Sequence, residues 1–136
     1  MTDPSEKNIK GAIDWGVGWI NTVNDWAVKM KKPLVLEEFG FPRDNWVDSG
    51  DNYVYSPKHP ITRRDRYYKA MMQRTVELRK SGAYTGVGFW AYAGESRPGQ
   101  SHWLGDPPQE PPGWYSVYNT DSSTLDIIRS ISKATI

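Results

Sequence analysis

The stretch that most constrains this chain is Lys32-Pro33-Leu34-Val35-Leu36-Glu37-Glu38-Phe39-Gly40. A run of leucine and valine this short, halted by Gly40, Pro42 and Asp44, reads as a strand buried on both faces, as in a parallel sheet. Side chains alternate across a strand, so Glu37 and Glu38 are expected on opposite faces, with Glu38 in line with Leu34 and Leu36. A carboxylate in such a line is costly unless paired. The carboxyl end of a parallel strand is also where barrels and open sheets place their chemistry.

The flanking sequence alternates helix with strand. From Asn8 to Met30, Ile9, Ile13, Val17, Ile20, Val23, Ala27 and Met30 recur at steps of three and four, which marks one face of an amphipathic helix, with Trp15, Trp19 and Trp26 widening or flanking it. Its start is open, since Asp3, Ser5 and Asn8 are all suitable caps. A second helix is expected from Thr62, with Asp65 completing a capping box and Gly82 as a left-handed terminator. Thr85 to Tyr92 reads as the second strand, whose Gly86 and Gly88 suggest close backbone approach or a narrow barrel interior. A last helix is expected after Ser122 or Ser123, with Leu125, Ile128 and Ile131 inward. Between these lie an aromatic stretch from Phe39 to Ile61 and a connection rich in proline, Pro107-Pro108-Gln109-Glu110-Pro111-Pro112, expected to be stiff and extended. The order helix, strand, helix, strand, helix signals parallel β/α units. Two strands cannot form a parallel sheet covered on both faces, so the 136 residues are expected to be one partial domain of a larger fold.

Composition narrows the partners. Seventeen basic and sixteen acidic residues nearly cancel, with no basic stripe, so nucleic acid and anionic membrane surfaces are not expected partners. No apolar run approaches the roughly 18 residues of a membrane span, and the first residues do not resemble a signal peptide. The absence of cysteine removes disulfides, zinc-thiolate sites and thiol nucleophiles. Seven tryptophans and eight tyrosines are the compositional signal, because flat amphipathic rings pack in cores and also stack on sugars.

A carboxylate at one strand end and Trp90 at the next, rimmed by aromatic loops, suit a carbohydrate-cleaving site, which needs two carboxyl groups. Glu37 is expected on the wrong face, and Glu95 sits in a loop, a poor place for a general acid. A buried acid tied to an arginine is the structural alternative for Glu38.

Three segments carry a resemblance: the Lys32–Gly40 strand, Gly86-Val87-Gly88-Phe89-Trp90-Ala91-Tyr92, and Gly105-Asp106-Pro107-Pro108-Gln109-Glu110-Pro111-Pro112-Gly113-Trp114-Tyr115-Ser116-Val117-Tyr118. Together they resemble the carboxyl-terminal part of bacterial endo-β-1,4-mannanases of glycoside hydrolase family 5. The resemblance implies an α/β fold, the last portion of an eight-stranded TIM barrel running from helix six through strand seven, helix seven and strand eight to helix eight, incomplete by itself. It implies retaining hydrolysis of internal bonds in β-mannan, with Glu38 as nucleophile and Trp90 flooring the sugar-binding subsite. Arg97, Trp103 and Trp46 are implied as further substrate-binding positions.

The family's general acid stands in an Asn-Glu pair, and this chain has none, so the isolated chain is expected to be inactive. No cofactor or metal is implied. The resemblance implies a secreted or periplasmic parent enzyme. Open sheet edges lead to the expectation of self-association or of a complementing chain supplying strands one to six. Two other functions fit the same residues: a non-catalytic β-mannan-binding or interaction module, and a related barrel glycosidase acting on cellulose.

Overall fold

The computed structural model describes residues 6–44, 56–99 and 112–133. The elements are α1 (Glu6–Met30), β1 (Leu34–Phe39), α2 (Thr62–Ser81), β2 (Tyr84–Phe89), β3 (Tyr92–Gly94), β4 (Val117–Tyr118) and α3 (Ser122–Lys133). β1 and β2 pair in parallel, and so do the short β3 and β4. α2 packs between α1 and α3. Three helices therefore cover one face of a two-stranded parallel sheet, an incomplete barrel among the described residues. Among the described residues, no helix is long and apolar enough to cross a membrane.

The apolar stripe of α1 is buried as its spacing requires. Ile9, Ile20 and Ala27 are buried, and Ile13, Val17 and Val23 pack against the same core, while Met30 at the end of the stripe is exposed. α2 supplies the centre of the core through Tyr68, Met71 and Met72. Leu125, Ile128 and Ile131 of α3 lie against it, as the periodicity indicates. Between α1 and α2 the backbones approach closely enough that a Cβ on Gly16 would meet the Met71 sulfur at 2.8 Å.

Local signals were less faithful at the helix ends. Thr62 is the first residue of α2, preceded by Ile61, and no side chain of its own segment caps it. The cap comes from the loop after β1, where both carboxylate oxygens of Asp44 accept from the Arg63 N–H at 3.1 and 3.0 Å. Asp65 instead accepts from the Thr124 hydroxyl of α3. Gly82 is not left-handed, with φ at −141°. Crowding explains the glycine: a Cβ there would stand 2.3 Å from Asn24 Oδ1, the atom that accepts from the Ala83 N–H at 3.0 Å. α3 begins at Ser122, so Asp121 and not a serine occupies the position before the helix.

The second strand is shorter than the sequence suggests. β2 ends at Phe89, the Trp90–Ala91 peptide is cis, and the chain re-enters a different pairing at Tyr92. There the Ala91 carbonyl accepts from the Val117 N–H at 2.8 Å, and β3 runs beside β4. Gly86 and Gly88 meet no close neighbour, since a Cβ on either would make only ordinary contacts with Val35 and Leu36. Of the two readings of these glycines, close backbone approach is not met among the described residues. Most of the proline-rich connection and the middle of the Phe39–Ile61 stretch lie outside the described residues.

Candidate functional site

The carboxyl ends of β1 and β2 meet side by side. Phe39 aligns with Phe89, and the Trp90 N–H donates to the Phe39 carbonyl at 2.8 Å. Beneath them Tyr68 is fully buried, its ring 5.0 Å from Phe39 and 5.7 Å from Phe89. Its hydroxyl donates to the Trp90 carbonyl at 3.0 Å. One buried side chain of α2 thus holds both strand ends together.

The strand alternation that placed Glu38 beside Leu34 and Leu36 does not survive. The register slips between Leu36 and Phe39, where β1 carries one residue more than β2, and Glu38 has φ at 51°. Such a bulge re-aims side chains, and bulges recur beside active sites. Leu36 and Phe39, three residues apart, both serve the helix-covered core, and the two glutamates between them are exposed. The Glu38 carboxylate is therefore not buried, and it forms no ion pair with an arginine among the described residues. Phe39, not Glu38, continues the core line.

Gly40 is dictated by crowding. A Cβ on it would stand 2.8 Å from the Trp90 carbonyl and 3.0 Å from the Tyr115 ring. The motif Glu38-Phe39-Gly40 is thus one device: a left-handed acid, an aromatic anchor, and a glycine against which the next strand end and the Tyr115 ring can close.

Beyond the strand ends the rim is held by buried charge. Arg43 and Arg64 are 1% and 0% exposed and share Asp121, their Nη2 atoms 2.7 and 2.9 Å from its Oδ2. Oδ2 also accepts from the Tyr118 N–H at 2.9 Å, and Arg64 donates to the Ser116 carbonyl and the Thr124 hydroxyl, each at 3.0 Å. Burial pushes the Asp121 carboxyl up, but Arg64, Arg43 and the Tyr118 N–H outweigh it and hold the group below its ordinary value. This cluster ties the loop after β1 to β4 and the start of α3, an arrangement that lone-residue motifs do not reveal.

Arg97, which the resemblance implies as a substrate contact, is engaged within its own rim. Its guanidinium lies 4.3 Å over the Tyr118 ring and donates to the Gly94 and Ser96 carbonyls at 3.0 and 2.9 Å and to Asn119 Oδ1 at 2.6 Å. Glu95 follows β3 and is exposed. Trp46 and Trp103 lie outside the described residues. Near the strand ends a groove of about 560 Å³ is lined by Trp15, Phe41, Tyr67, Trp114 and Tyr115, with neither Glu38 nor Trp90 in its walls. No contiguous motif marks it, because its aromatics come from four separate segments. No group of three histidine, aspartate or glutamate side chains able to hold a metal occurs among the described residues.

Comparison with known proteins agrees with this architecture. The family model described as glycoside hydrolase family 5 β-mannosidase-like matches residues 1–136. Among solved structures, the family 5 mannosidase of Rhizomucor miehei is 33% identical with a TM-score of 0.77, over 98% of this chain and 35% of its own. A glutamate-to-alanine variant of that enzyme in complex with mannosyl-fructose is 34% identical with a TM-score of 0.80, and a second such variant is 33% identical at 0.76, with the same coverage. The chain thus spans about a third of the length of these structures, matching the expectation of a barrel portion. No curated protein matches. A family match from first residue to last, with a third of the residues identical to a solved mannosidase over 98% of the chain, makes this chain a member of the glycoside hydrolase family 5 β-mannosidase-like family.

Proposed function

We propose that these residues form the nucleophile-bearing portion of a retaining glycoside hydrolase that cleaves internal β-1,4-mannosidic bonds of mannans. The observation that carries this reading is Glu38: an exposed acid in a left-handed bulge at the carboxyl end of a parallel strand, one residue before the Phe39 carbonyl that binds Trp90. Glu38 would attack the anomeric carbon while a second carboxylic acid, about 5–5.5 Å away, protonates the departing oxygen. That acid would then act as base, drawing a proton from the water that releases the sugar. Trp90 would offer its ring to the apolar face of the attacked mannose.

The second carboxyl group is assigned to the part of the barrel that these 136 residues do not span. Loss of general acid catalysis alone removes about 10²–10⁴-fold in rate, so the isolated chain is expected to show no measurable turnover. A second reading, removal of terminal mannose from short substrates, is favoured by the family description and by the mannosyl-fructose complex of the fungal neighbour.

A chimaera in which this chain replaces the matching third of the Rhizomucor miehei mannosidase tests both. Mixed oligosaccharides from mannohexaose support internal cleavage, and mannose alone supports the terminal reading. Glu38→Ala should abolish hydrolysis, with azide restoring a glycosyl product of inverted anomeric configuration. Undiminished activity in that variant would remove Glu38 from the mechanism.

A further inference from the structure

Trp90 is held through its backbone from two sides. Its N–H donates to the Phe39 carbonyl at 2.8 Å, and its own carbonyl accepts from the Tyr68 hydroxyl at 3.0 Å. The same carbonyl stands so close to Gly40 that a Cβ there would meet it at 2.8 Å. The contacts at Phe39 and Gly40 tie the position of Trp90 to the segment that carries the Glu38 carboxylate. The contact at Tyr68 ties it to the helix layer.

Tyr68 has little room to move. It is fully buried, with its ring 5.0 Å from Phe39 and 5.7 Å from Phe89. Arg64 lies one turn earlier on the same face of α2, also fully buried, and is bound to Asp121, the Ser116 carbonyl and the Thr124 hydroxyl. α2 is thus pinned to β4 and α3 at Arg64, and its next turn brings a hydroxyl to Trp90 in a fixed place. A phenylalanine would fill the same core volume, so packing by itself does not call for the oxygen.

We propose that the Tyr68 hydroxyl is a positioning group for the site: by fixing the Trp90 carbonyl it sets where the Trp90 ring stands relative to Glu38. The inference rests on the roles proposed for Glu38 and Trp90, and it adds a residue that touches no substrate. Without the hydroxyl, a partly buried carbonyl loses its partner, and the peptide turns toward another donor. The ring turns with it and no longer matches the sugar in the transition state. A hydroxyl that only stabilised the core would leave the ring where it is.

The test labels the 136-residue chain with 5-fluorotryptophan and assigns the Trp90 fluorine line through Trp90→Phe. In Tyr68→Phe that line should shift or broaden while those of Trp15, Trp19 and Trp26 on α1 stay in place. An unmoved Trp90 line overturns the inference. In the chimaera with the Rhizomucor miehei mannosidase, Tyr68→Phe should lower kcat about tenfold with KM changed less than about twofold, as for an interaction made in the transition state. Its pH profile should be unaltered, because Glu38 is untouched. In a Trp90→Ala background the same substitution should cost nothing further, since its effect passes through that ring. Equal losses in both backgrounds would mean that the hydroxyl acts on stability alone, and would overturn the inference. Should Tyr68→Phe fail to fold in the isolated chain, these kinetic comparisons decide, because the rest of the barrel supports the chimaera. Retained hydrolysis in Glu38→Ala removes the proposed nucleophile and not the coupling of Tyr68 to Trp90, which the fluorine line reads independently of turnover.

Discussion

Glu38 and Asp121 are both acids at the sites that matter, yet their surroundings are opposite. Glu38 is exposed in a left-handed backbone, a conformation that costs an L-residue about 1–2 kcal/mol. Glu38→Gly should therefore raise the stability of the chain by about 1 kcal/mol in a denaturant melt, even as it removes the proposed nucleophile. Asp121 is buried between two guanidiniums, and its folded pKa lies below the ordinary carboxylate value. Its stabilising contribution is present above the unfolded value near 3.9 and is lost as pH falls through the folded value. Urea melts from about pH 5 downward should show that loss, and Asp121→Asn should flatten it while costing about 3–5 kcal/mol, since two buried arginines lose their shared anion.

At the scale of elements, connections that are distant in sequence define the boundaries. The amino end of α2 is capped by Asp44, nineteen residues before Arg63, so the loop after β1 and the helix that follows are ordered together. Asp44→Ala should destabilise the chain by about 1 kcal/mol and raise amide exchange in the first turn of α2, whereas Thr62→Ala should leave both nearly unchanged. The strand boundary at Trp90 has the same character. Phe89 ends β2 because the next backbone groups are claimed by Phe39, Tyr68 and Val117, three partners from three elements.

Taken whole, the molecule is a helical layer resting on too little sheet. Its core is centred on α2, whose Tyr68, Met71 and Met72 are enclosed from both sides, while among the described residues no strand pairs with the outer edge of β1 or of β2. Hydrogen exchange should thus find its slowest amides in the middle of α2 and fast exchange on the unpaired edges of β1 and β2. Uniform protection across strands and helices would mean that another chain or copy completes the sheet.

What the sequence determined by itself was whatever depends on local periodicity and on contiguous motif: the three helices, the two main parallel strands, the inward faces of α1 and α3, and the family. Its Glu38-Phe39-Gly40 signal located the strand end correctly, but the alternation argument failed there. A bulge is set by pairing with β2, and nothing within Leu34–Phe39 announces it. The cap from Asp44, the shared anion of Arg43 and Arg64, the break at Trp90 and the aromatic groove were likewise decided only in three dimensions. Each depends on groups brought together by packing, so their energies belong to the assembled layer and leave no trace in any one segment.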